Sequence, residues 1–203
     1  MVNVIKSQAC FPTMIYQFEL NIPVHDRIHM LKYINKFDDT LSINKLSQTP
    51  DDIYELSYFK YFKDNILELH KELLEKLKYE YEDIIITNMW GNKLKPKGIH
   101  PPHTHSNNLF SGVFYLQTDN ASSHIQFHDP RPQASVMVPR RKENLIENSS
   151  VVSFAAKKNI GFVFPSWLQH WVPPTESERI SISWNIIVKG HYGELNQLQN
   201  AYI

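Results

Sequence analysis

Apolar positions along the chain fall into two regimes. Up to about residue 83 they recur at helical spacing, and beyond it they gather in short runs rich in β-branched and aromatic residues. In "HDRIHMLKYINKF" (25–37), Ile28, Leu31, Ile34 and Phe37 mark one face of a predicted helix. "TPDDIYEL" opens a second helical stretch, with Thr49 as N-cap and Pro50 at the first helical position. That stretch runs to about Tyr81, with Ile66, Leu69, Leu73 and Leu77 along one side. "MIYQFEL" (14–20) reads as a short strand. From residue 84, "IIITNMW", "LFSGVFYLQ", "HIQFH", "ASVMV", "SVVSFAA", "IGFVF" and "RISISWNIIV" are separated by Gly, Pro, Asn and Asp clusters. Strands this short and this frequent predict an all-β sandwich or barrel. The expected plan is α+β and mainly β, in one domain over 1–203 without a flexible linker. Residues 1–83 form a helical support with a short N-terminal strand, 84–190 an antiparallel double-stranded barrel, and 191–203 a tail used in packing or dimer contacts.

Composition narrows the function classes. Hydrophobic residues make up 42% and charged residues 21%, as in ordinary globular chains. Lys+Arg and Asp+Glu both number 21, so no overall field recruits nucleic acid or an anionic membrane. No run approaches the ~18 apolar residues of a membrane span. The single cysteine, Cys10, allows no internal disulfide and suits a reducing compartment. "MVNVIKSQACFPT" lacks the charged-then-apolar design of an export signal. A cytoplasmic protein is expected, monomeric or homodimeric, with no nucleic-acid or membrane partner.

The candidate chemistry lies in the histidines. "GIHPPHTHSNNLFSGVFYL" (98–116) places His100, His103 and His105 on a proline-stiffened approach to an apolar run. His103 and His105 are two apart and face the same way in extended backbone. His170, in "FPSWLQHWVPP", lies on a later predicted strand. A close pair plus a distant single histidine is how a barrel builds a three-ligand metal face with open positions, the mark of a catalytic rather than a structural metal. Arg179 begins the strand "RISISWNIIV", nine residues after His170, and Ser181 shares its strand face. An arginine entering a barrel interior needs an anion, and Arg-x-Ser offers a forked carboxylate clamp to which Tyr115 can add a donor. The plainer reading of Arg179 is an ion pair with Glu176 or Glu178. His25 and His29, four apart, read as a solvated helix face, His70 as a surface residue, and His128 as a residue of a pocket mouth.

The ordered set "HPPHTH…SGVFYL…FHDPRP…FPSWLQHWVPP…ERISISWN", spanning about residues 84–188, resembles the Fe(II)/2-oxoglutarate-dependent oxygenases, and in particular a bacterial and phage subgroup of them. The resemblance implies a jelly-roll, cupin-like double-stranded β-helix flanked by helices. It implies Fe(II) as cofactor, with 2-oxoglutarate and O2 as cosubstrates, and hydroxylation as the commonest outcome. His103 and His170 match the family's two histidine ligands, and Arg179 with Ser181 the clamp for the far carboxylate of 2-oxoglutarate. Tyr115 falls where related prolyl hydroxylases place a tyrosine on that carboxylate, and Trp90 and Asn92 lie near other cosubstrate contacts.

One position departs from the family pattern. His105 stands where the usual Asp or Glu ligand belongs. Three neutral imidazoles leave the full charge of a divalent ion uncompensated. Three arrangements follow: His105 as third ligand, a water in its place, or Asp129 from "FHDPRP" as an anionic ligand. The expected substrate is a small molecule or a peptidyl group. Two other readings use the same histidines: a three-His cupin-type dioxygenase that needs no 2-oxoglutarate, and a non-enzymatic metal-binding barrel.

Overall fold

The computed structural model describes residues 8–203, so the part of the opening segment at residues 1–7 lies outside the described residues. The elements follow in the order β1 (Tyr16–Glu19), α1 (Val24–Ile34), β2 (Leu46–Gln48), α2 (Lys60–Leu77), β3 (Asp83–Leu94), β4 (His100–His103), β5 (Phe110–Gln117) and β6 (Ile125–His128). They continue with β7 (Val151–Phe154), β8 (Ile160–Pro165), β9 (His170–Val172), β10 (Arg179–Lys189), β11 (His191–Tyr192) and β12 (Ala201–Tyr202). A six-stranded sheet runs β1-β8-β5-β10-β3-β2, and a four-stranded sheet runs β4-β9-β6-β7. The pairings within each are antiparallel. Together they make a double-stranded β-helix, mainly β with few helices. The sheets face one another without joining into a closed barrel. The large sheet also crosses the expected boundary at residue 83, because β1 and β2 are its two edges.

The alternation within β10 explains the layering. Ile180, Ile182, Trp184 and Ile186 belong to the core that α1 and α2 share with the large sheet. Arg179, Ser181, Ser183 and Asn185 alternate with them and so project from the opposite face, toward the second sheet. A second apolar cluster fills that inner space, with Val113, Tyr115, Phe127, Phe162 and Phe164. Trp184 sits opposite Gly112 in the pairing of β10 with β5. A Cβ at Gly112 would lie 2.1 Å from its ring, so glycine is what lets the indole lie flat on the sheet.

Several expectations need correction. The second helix begins at Lys60 rather than Pro50. Thr49 follows β2, and its hydroxyl accepts the Gly91 N–H at 3.0 Å instead of capping a helix. Short 3-10 turns fill Ile53–Glu55 and Ser57–Phe59, and Leu56 between them is extended. In α1 the buried residues are Met30 and Ile34, while Ile28 is exposed. "ASVMV" forms no strand: Ala134 and Ser135 end a 3-10 turn at Pro132–Ser135, and Val136, Met137 and Val138 lie exposed. The tail folds back as the β11–β12 hairpin, and the Tyr202 hydroxyl donates to Glu82. Among the described residues no helix is long and apolar enough to cross a membrane.

His70 lies in the core rather than at the surface. Its Nδ1–H donates to the Ile66 carbonyl at 2.8 Å, one turn back, which satisfies one ring nitrogen without leaving the helix. Nε2 is buried without a partner, beside Phe110 and Trp184. Burial pushes the pKa down from 6.5 to about 4. The unfolded chain therefore takes up a proton between pH 6.5 and 4 that the folded chain refuses. Stability from this group is complete above pH 6.5 and is lost as the pH falls toward 4, by roughly 3 kcal/mol in all. Urea unfolding of His70→Phe across that window will show a shallower loss of stability with falling pH than wild type. An unchanged slope would mean that His70 protonates in the folded state.

Candidate metal and cosubstrate site

The β4–β9 pairing sets His103 directly across from His170. Backbone carbonyls fix both rings. His103 Nδ1 lies 2.7 Å from Pro101 O and His170 Nδ1 2.9 Å from Leu168 O. A carbonyl only accepts, so each Nδ1 carries the proton and each Nε2 keeps its lone pair for the cavity. Pro101 thus supplies a carbonyl at the point where the β4–β9 register shifts, between His100 and His103. His105 follows β4, its backbone N–H donating to Ser166 O at 2.9 Å. The Ser166 hydroxyl is in turn 2.8 Å from that of Ser111, which donates to Asn185 at 2.7 Å. This buried chain of polar groups ties the histidine loop to the large sheet.

One ligand atom from each of His103, His105 and His170 lies within 4.8 Å of the others. Burial lowers all three pKa values, to about 4 for His105 and about 3 for His170, so the imidazoles are unprotonated at neutral pH. Three convergent neutral nitrogens, two of them oriented by carbonyls, fit Fe(II). Asp129 does not join them. Its carboxylate is forked by Arg131, Nε to Oδ1 at 2.9 Å and Nη2 to Oδ2 at 2.7 Å, and that bond holds its pKa down. His105 supplies the third nitrogen of the cluster, and Asp129 lies outside it.

One cavity is lined by these three histidines together with His100, Arg179, Ser181, Trp90 and Asn92. Arg179 is 4% exposed. Its Nη1 donates to Ser123 O at 2.8 Å, and its guanidinium lies 4.8 Å from the centre of the Tyr115 ring. No ion pair to Arg179 exists among the described residues, and Glu178 lies near Lys93 instead, at 3.7 Å. Tyr115 is fully buried beneath the guanidinium, its hydroxyl without a partner. Asn92 is held at both ends: Oδ1 accepts from Gln48 at 2.8 Å and Trp90 at 3.0 Å, and Nδ2 donates to Ser183 at 3.0 Å. Trp90 also packs beside His105, with ring centres 5.8 Å apart. Sequence reasoning missed Ser183, a cavity residue. The period-two alternation of "RISISWN" carries that signal, since Ser183 must share the face of Arg179 and Ser181.

Residues 88–185 match the model of a family described as "Putative 2OG-Fe(II) oxygenase". The match spans 98 of the 203 residues. Solved structures, 2OG-Fe(II) oxygenases among them, share the double-stranded β-helix fold at low identity. A Pseudomonas putida prolyl-4-hydroxylase aligns at TM-score 0.63 and 13% identity, over 88% of this chain and 94% of its own. A Trichoplax adhaerens prolyl hydroxylase, in complex with a hypoxia-inducible-factor peptide fragment, aligns at 0.62 and 11%, over 86% and 83%. HygX from Streptomyces hygroscopicus, with nickel, 2-oxoglutarate and hygromycin B bound, aligns at 0.56 and 11%, over 86% and 82%. Comparison with curated proteins gave no match. The family-model match accords with the donor set, since imidazole nitrogens suit ferrous iron and the cluster supplies three of them.

Proposed function

We propose that this chain is an Fe(II)- and 2-oxoglutarate-dependent hydroxylase of a small-molecule or peptidyl substrate, with His103, His105 and His170 holding the metal. The observation that carries the reading is Arg179, a buried cation with no carboxylate partner among the described residues, which shares one cavity with the three histidines. A buried unpaired charge is strongly unfavourable, and the far carboxylate of a dicarboxylic acid chelated at the histidines would relieve it. Arg179 then forks that carboxylate, Ser181 adds a hydroxyl, and the unpartnered Tyr115 hydroxyl is the third donor within reach of the guanidinium. When bound, iron with 2-oxoglutarate and O2 supplies the oxidising chemistry. The protein positions the reactants, and the surrounding Phe127, Phe164 and Trp90 exclude water. Asn92, fixed by Gln48 and Ser183, sets the orientation of Trp90 rather than contacting cosubstrate itself.

The test is anaerobic titration of metal-free protein with Fe(II) and then with 2-oxoglutarate, watching for the weak visible charge-transfer band of the chelate. The band is expected to saturate at one equivalent of each. Iron binding without the band would support a three-His dioxygenase that ignores 2-oxoglutarate, a reading favoured by the absence of a carboxylate ligand but one that leaves Arg179 without purpose. Zn(II) binding that Fe(II) cannot displace would support a non-enzymatic barrel.

A further inference from the structure

Among the described residues, none that lines the cavity is acidic. Its ionisable lining is His100, His103, His105, His170 and Arg179. Of the acids near these residues in sequence, Asp129 pairs with Arg131, Glu178 lies beside Lys93, Asp119 accepts from Ser122 and Ala121, and Glu176 is exposed. Charge balance has a consequence that rests on the reading above. A divalent ion and Arg179 bring three positive charges into a buried space, and 2-oxoglutarate returns two negative ones. A site with a carboxylate ligand would be neutral at that point. With His105 in that position one positive charge is left over, and a buried uncompensated charge is costly.

His100 lies where a counter-ion could be held. Its ring stacks on that of His103 with centres 4.4 Å apart and planes 20° apart, and it lines the same cavity. Among the described hydrogen bonds neither of its ring nitrogens has a partner, whereas Nδ1 of His103 and Nδ1 of His170 each has one. A neutral imidazole always retains one N–H donor. We propose that the cavity binds one further monoanion beside 2-oxoglutarate, held by the uncompensated charge and the His100 N–H, and that this anion is a carboxylate carried by the substrate. The substrate class is then an organic acid or a peptide with an accessible carboxylate.

The experiment uses the anaerobic Fe(II)–2-oxoglutarate protein, titrated separately with formate, acetate, propionate and chloride, following the charge-transfer band and the heat of binding. Formation of the band before any anion is added verifies the oxygenase reading independently, so failure at that step and failure of the anion are distinguishable. Saturable perturbation at one anion per site is expected. His100→Phe, which keeps the stacking, should weaken it about tenfold by removing one charged hydrogen bond. His105→Asp, which supplies the missing negative charge, should weaken it about a hundredfold. Tightening from formate to propionate assigns the anion to an organic substrate, whereas chloride binding as tightly as the carboxylates assigns a free inorganic ion and overturns the substrate class. No perturbation by any anion, or equal affinity in His105→Asp, overturns the proposal, as does proton release on metal binding with no anion dependence, because hydroxide would then supply the charge. His100→Gln and His105→Glu replace any variant whose circular dichroism shows that it has not folded.

Discussion

His170→Ala will reduce Fe(II) affinity by more than ~100-fold and will eliminate 2-oxoglutarate turnover. Loss of an outer group that merely orients a metal ligand weakens binding by ~10–100-fold, and here the ligand itself is removed. His170 is the histidine most firmly set in place. It is 5% exposed, its Nδ1 is bonded to Leu168 O, and its ring packs 4.6 Å from that of Phe164 and 5.8 Å from that of Phe127. Alanine would also leave a void among those rings, so His170→Gln serves as the volume control. The clearest readout is thermal. Metal at about 100 times its dissociation constant stabilises a folded protein by roughly 2.7 kcal/mol, which raises Tm measurably. Wild type should show that rise with Fe(II) under anaerobic conditions, and both variants should not. A full rise in either variant would remove His170 from the ligand set.

The sequence made the inner face of the β-helix legible because period-two alternation is a local property. "RISISWN" declares Arg179 and Ser181 together, and HxH declares that His103 and His105 converge, before any strand pairing is known. The meeting of His103 with His170 depends on the β4–β9 register, and the sequence only suggested it. What local pattern could not carry was partnership at a distance. Ser123 O on Arg179, Ser166 O on the His105 N–H and Gln48 on Asn92 all come from other parts of the chain. "ASVMV" misled for the complementary reason: β-branched residues favour a strand only where a sheet is present to accept them, and Val136 and Met137 are 81% and 85% exposed. His70 misled because hydropathy scores a histidine as polar, while a carbonyl one turn away can satisfy half its ring inside a core.

Arg179→Met should separate cosubstrate binding from metal binding and should change stability in opposite directions in two states. Without 2-oxoglutarate, Arg179 is a buried cation hydrogen-bonded to Ser123 O and in face-on contact with Tyr115. Replacing a buried charge by an apolar side chain of similar length is often neutral or stabilising, by ~1–4 kcal/mol. The variant without cosubstrate is therefore expected to melt at or above the temperature of wild type. Fe(II) affinity should stay within about threefold, because the guanidinium supplies no metal ligand. With 2-oxoglutarate the order reverses. Truncating one member of a buried, hydrogen-bonded charge pair costs ~2–5 kcal/mol, so cosubstrate affinity should fall between roughly 30-fold and a few thousandfold. Wild type will then gain stability from 2-oxoglutarate and the variant will not. Arg179→Lys should fall between the two, since an ammonium keeps the charge but loses the planar fork. If the methionine variant binds 2-oxoglutarate as tightly as wild type, the buried arginine is a structural cation neutralised by its carbonyl and ring contacts. The carboxylate would then have to be held by the hydroxyls of Ser181, Ser183 and Tyr115 alone.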